Sequence, residues 1–134
     1  MTREDLQPKW EEILTKGYSD YSQLTKAERI WYNVEPLITD GLIDHYVNYG
    51  AEHNIETLED LEFLGCTGIA DLIRKFNSLF PDGIPPKDID ERNDLMGEWD
   101  DKYDSLTDQL EEDFWDKSGE LEEVLLIHIN RSIK

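Results

Sequence analysis

Apolar residues recur along this chain at intervals of three and four, the period of a helix with one buried face, while the alternation of a half-buried strand is almost absent. In "LTKAERIWYNVEPLI", Thr25 and Glu28 form a capping-box pattern, and Ile30, Trp31, Val34, Leu37 and Ile38 follow at helical spacing. Pro36 falls inside this helix and is expected to kink or divide it, because proline cannot donate to the preceding turn. Leu42, Ile43, Tyr46, Val47 and Tyr49 predict a short helix that follows Gly41 and is ended by a glycine cap at Gly50. Thr57 with Asp60 predicts the start of another, carrying Leu58, Leu61, Phe63 and Leu64. Ile69, Leu72, Ile73, Phe76, Leu79 and Phe80 predict a helix that Pro81 terminates, with "FPDGIPPKD" as a loop.

Beyond that loop, Leu95, Trp99, Tyr103, Leu106, Leu110 and Phe114 make an apolar stripe through a strongly acidic stretch. A disordered tail has no need of such a stripe. Ser105 with Asp108 resembles a helix start, so two helices are expected here, divided near Asp104 to Thr107. After "KSGE", the residues Leu121, Val124, Leu125, Ile127, His128 and Ile129 predict a last helix, apolar nearly all round and therefore buried. The fold class is all-α, a single compact domain of about six or seven helices over residues 1–134, a length that suits one core.

Charge changes this picture most. The 32 acidic side chains outnumber 13 basic ones, a net of −19. Such a surface repels nucleic acid and anionic membranes, so no direct nucleic-acid or membrane partner is expected and the natural partners are basic proteins. Solubility alone is also a sufficient reason for an acidic surface. Residues 94 to 123 hold thirteen carboxylates against Lys102 and Lys117, a net of −11. On a helix rising about 1.5 Å per residue that is about one charge every 4 Å, close to the one phosphate per about 3.4 Å of a single DNA strand. The carboxylates expected to meet a partner are Glu98, Asp100, Asp101, Asp104, Asp108, Glu111, Glu112, Asp113 and Asp116. Trp99 and Tyr103 lie on the apolar stripe and are expected in the core.

Little else points to chemistry. His45, His53 and His128 are scattered, without metal spacing to carboxylates. His45 is expected to be a structural or surface polar group and His128 to sit at a core margin. A calcium loop beginning at Asp88 fails, because Arg92 and Asn93 stand where a ligand and the turn glycine are wanted. No glycine-rich phosphate loop and no activated nucleophile accompanies the carboxylates, so no catalytic, metal-binding or cofactor-binding residue is assigned. The lone Cys66 cannot form an internal disulfide and is expected to pack as a small apolar residue. The amino terminus lacks the basic and apolar segments of a signal peptide, and no apolar run is long enough to span a membrane. These features predict a soluble, cytoplasmic protein.

The order of segments resembles the bacterial all-helical DNA-mimic protein domain family, formerly a domain of unknown function. The likeness covers about Leu24 to Ile129 and rests on "LTKAERIWYNVEPLITDGLIDHYVNYG", "LGCTGIADLIRKFNSLFPDGIPPKDIDER" and the closing "LEEDFWDK". Phe80, Pro81, Gly83, Pro86 and Arg92 stand where the family pattern expects them. Gly41 and Tyr46 match its Asn-Gly-Gly-Phe and Gln-Tyr-Phe signature, whereas Asp40, Leu42, Ile43, His45, Val47 and Tyr49 depart from it. For its mimic member the resemblance implies a homodimer that occupies the DNA-binding surface of a transcription regulator or histone-like protein. The expected function is thus a non-catalytic acidic protein that binds such a surface. The alternatives are an immunity- or antitoxin-like protein neutralising a basic toxin, an enzyme using the His45 and Tyr46 region, and an acidic domain without a basic partner.

Overall fold

A capping box starts the first helix: the Thr2 hydroxyl accepts from the Asp5 N–H, while the Asp5 carboxylate accepts from the Thr2 N–H. From there α1 (Arg3–Ser19) buries Leu6, Ile13 and Gly17 on one side. In the computed structural model, which describes residues 2–133, six further helices follow: α2 (Lys26–Asp40), α3 (Leu42–Val47), α4 (Asn54–Phe63), α5 (Thr67–Asn77), α6 (Ile89–Glu98) and α7 (Asp104–Ser132). Short 3-10 turns lie at Tyr21–Gln23, Gly50–His53 and Pro81–Gly83, and the described residues contain no strand. The all-α expectation holds. Among the described residues no helix is long and apolar enough to cross a membrane.

The centre of the molecule is α2, which packs against α1, α3, α4 and α7. Its start is the expected capping box, with Thr25 and Glu28 bonded reciprocally. Ile30, Trp31, Val34 and Leu37 are sealed from solvent, each worth about 1.5–3 kcal/mol in transfer free energy. Pro36 does not divide this helix. Burial of Val34 and Leu37 on either side of it holds the axis together across the missing hydrogen bond.

Several boundaries differ from the expected ones. The Thr57–Asp60 pair is not a capping box, since α4 already begins at Asn54, and Thr57 donates to the His53 carbonyl instead. Asp60 is buried completely, where Arg29 and the Asn33 amide hold its carboxylate. The glycine cap expected at Gly50 is absent: α3 ends at Val47, and Gly50 opens a 3-10 turn.

The expected break at Asp104 to Thr107 lies a few residues earlier, in the turn between Glu98 and Asp104. There Asp100 takes a left-handed backbone, φ 53°, which an aspartate tolerates better than most side chains. Nor does a break occur at "KSGE", because α7 runs unbroken through it. The Ser118 hydroxyl donates to the Trp115 carbonyl of its own helix, and Phe114 and Leu121 on either side are both buried. The last segment is also less buried than expected, with Ile127 about half exposed.

Candidate partner-binding surface

The 29 residues of α7 form a rod about 43 Å long. Its inner face carries Leu110, Phe114, Leu121, Leu125, His128 and Ile129, all packed into the core. At about 100° per residue, Asp108, Glu112, Asp116 and Glu123 point away from that face. Asp104, Asp108, Glu112, Asp116 and Glu120 recur every fourth residue, about 6 Å apart along the axis, and all five are exposed. The outer row is thus sparser than one charge per 4 Å, because some acids of the stretch face elsewhere.

The nine expected carboxylates divide accordingly. Asp108, Glu112 and Asp116 are gathered on the outer face of α7, with Asp104 exposed at its flank. Glu98 ends α6 and Asp100 and Asp101 lie in the following turn, all three exposed. Asp113 is half-buried and accepts from the Gln109 side chain at 2.9 Å. None of the nine is in an ion pair among the described residues, whose ion pairs use other acids: Glu12, Glu28, Glu35, Glu59, Asp60, Glu62, Asp71 and Glu122. Within the acidic stretch, the Lys102 ammonium lies over the Tyr103 ring.

Glu111 has a different role. Its two carboxylate oxygens accept the N–H groups of Leu42 at 2.9 Å and Ile43 at 2.8 Å, closing the amino-terminal end of α3. Gly41 makes this approach possible, since it has φ 96° and a Cβ there would run into Glu111 Oε1 and Trp115. At the other end of α3, the buried Arg92 guanidinium donates to the carbonyls of Tyr46 at 2.6 Å and of Asn48, and also to Pro86 at 2.8 Å and Lys87 at 3.1 Å. An anion at the amino end and a cation at the carboxyl end complement the helix dipole. A six-residue helix too short to persist alone is thereby clamped by side chains from α7 and α6.

Beside this clamp, His45 is buried and its Nε2 lies 3.0 Å from the Asn54 amide oxygen. Burial pushes its pKa down to about 4. Tyr46 donates to the Ile73 carbonyl and Asn77, stacks on Phe76 at 3.9 Å, and is raised well above the usual phenol range by burial. Both side chains therefore serve the core. His128 also sits at the core, its Nε2 3.3 Å from the Ala27 carbonyl. Of the stripe, Leu110 and Phe114 are buried and Trp99 and Tyr103 partly so, with Trp99 against Phe80 at 5.0 Å. Leu106 is a correction, being exposed on the early turns of α7.

Sequence reasoning missed the structural use of Glu111 and Arg92, whose partners on α3 and just after it include Leu42, 69 residues from Glu111, and Tyr46, 46 residues from Arg92. For Arg92 the available signal was its place in the family pattern; for Glu111 no local spacing reports the contact.

Fold and surface define an all-helical acidic domain with a carboxylate row along one helix. Residues 22–132 match the family model described as DMP19-like protein, and the chain belongs to that family. No curated protein and no solved structure matches it.

Proposed function

We propose that this protein is a non-catalytic DNA mimic, which occupies the DNA-binding surface of a basic transcription regulator or histone-like protein. The observation that carries this reading is the exposed side of α7, where Asp104, Asp108, Glu112 and Asp116 stand open to water and take part in no ion pair among the described residues. A helix packed into the core keeps these charges in register, as a duplex keeps its phosphates. Lysines and arginines that release counterions from DNA can then be satisfied by carboxylates, without a base-specific contact being needed. Glu98, Asp100 and Asp101 extend the negative surface past the start of α7. Glu111 contributes charge there but is committed to α3.

The test is capture of the partner from extract on the immobilised chain, followed by competition. The recovered protein should bind DNA in a mobility-shift assay and release it when this chain is added. The triple substitution Asp104→Lys, Asp108→Lys, Glu112→Lys should abolish that release. Recovery of a basic toxin, or a complex in which partner, DNA and this chain coexist, overturns the reading.

A further inference from the structure

Away from α7, a cleft of about 1120 Å³ opens between α1, α2 and the segment that follows α3. It exceeds the roughly 300–1,000 Å³ of ordinary small-molecule pockets. Its wall is aromatic. Tyr18 and Tyr49 are 74% and 62% exposed, a degree of exposure that leaves ring faces free, and Tyr32 meets Tyr18 edge to face at 6.3 Å. At its side the His53 ring stacks on Tyr21 at 3.5 Å.

Asp40, Asp44 and Glu52 line the same cleft, Asp44 accepting from the Asn48 side chain, and none of the three is in an ion pair among the described residues. Arg3 also lines the cleft, but its guanidinium is bound to Glu35 and lies 3.6 Å from Glu122. Burial lowers the pKa of His53, which keeps that ring uncharged near neutral pH. The cleft therefore offers aromatic rings and carboxylates along one lining. A planar cation is the complement of that combination, because a guanidinium stacks on a phenol ring while its edge N–H groups bond carboxylate oxygens.

We propose that this cleft is a second binding site, separate from the α7 row, for an arginine-bearing peptide segment of a protein partner. Tyr18 and Tyr49 supply the stacking faces, and Asp40, Asp44 and Glu52 the charge. The site does not rest on DNA mimicry, and loss of DNA competition by α7 variants leaves it standing.

The probe is a fluorescent acetyl-(Gly-Arg)3-amide peptide, followed by anisotropy and by NMR shifts of the tyrosine rings. The Tyr18→Leu/Tyr49→Leu variant should weaken binding at least fivefold, whereas Asp108→Lys/Glu112→Lys should change it less than twofold. Exchanging arginine for lysine in the peptide should weaken binding several-fold, and citrulline should abolish it. Glu52→Gln repeats the test without touching a ring, should the double variant fail to fold. Unchanged binding by the ring and Glu52 variants, binding lost only with the α7 variant, or equal affinity for citrulline would overturn the proposal. So would a ring variant that alters only self-association in sedimentation, which would assign the cleft to a second copy of the chain.

Discussion

Glu111 and Leu42 are 69 residues apart in sequence, yet the carboxylate of one accepts the backbone N–H of the other at 2.9 Å. The contact sets apart two neighbouring acids on α7, one that holds the fold and one that faces water.

Glu111→Gln leaves two amides at the head of α3 with a weaker acceptor, and Glu111→Ala leaves them none. Loss of such a cap should cost about 1–2 kcal/mol in the alanine variant and less in the glutamine variant. Glu112→Ala, one position on, should fall within about 0.5 kcal/mol of the parent. Urea unfolding of the three variants measures the contrast, and equal midpoints for Glu111→Ala and Glu112→Ala would remove the cap from the account.

Arg92 should tolerate no replacement. Lysine keeps the charge but cannot fork across four carbonyls, and methionine leaves those carbonyls without a donor. A loss of about 3 kcal/mol or more is expected for Arg92→Met, with Arg92→Lys only partly better. Amide exchange should show α3 and the Pro86–Asp88 segment opening first, which a general loss of stability would not produce.

Stability should also depend on pH through His45. The folded chain holds this ring neutral down to about pH 4, while the unfolded chain takes up the proton near 6.5. Between those values the unfolded state binds more protons, so the contribution of His45 is complete above about 6.5 and is lost as the pH falls towards 4. The full shift corresponds to roughly 3 kcal/mol. His45→Gln should flatten the curve in this window, leaving a smaller slope from His53, whose pKa is lowered in the same direction. A parent and variant with parallel curves from pH 7 to 5 would contradict this.

Binding of the partner proposed above should weaken steeply with salt, since the outer carboxylates of α7 are open to solvent and their field is screened within about 8 Å at physiological ionic strength. The triple reversal at Asp104, Asp108 and Glu112 should lower the slope of log affinity against log salt without lowering the unfolding midpoint. Relief of like-charge repulsion at a net of −19 acts to raise that midpoint. An affinity indifferent to salt between 50 and 500 mM, measured calorimetrically, would exclude charge as the basis of recognition.

Helices α2 to α5 were legible in the sequence because one face of each must be buried, and spacing reports that directly, whereas α1 was not read although Leu6 and Ile13 are buried on it. Thr25 with Glu28 marked a true start, since both partners of that cap lie within one turn. The same reasoning failed for Thr57 and Asp60, because Asp60 meets Arg29, an element away. The break near Asp104 was foreseen but placed a few residues late: Trp99 and Tyr103 contact each other across the turn at 5.2 Å, so the apolar period continues where the helix does not. Exposure of Asp108, Glu112 and Asp116 followed from their place opposite the stripe. The withdrawal of Glu111 did not, because its cause is an open helix end far along the chain.

The unbroken run of α7 separates two kinds of evolutionary constraint along a single stretch of chain. Its inward positions must keep their shape to match neighbouring helices, while its outward ones carry no such packing demand. Acids on the outer turns can therefore be respaced without disturbing the seat of the helix among its neighbours.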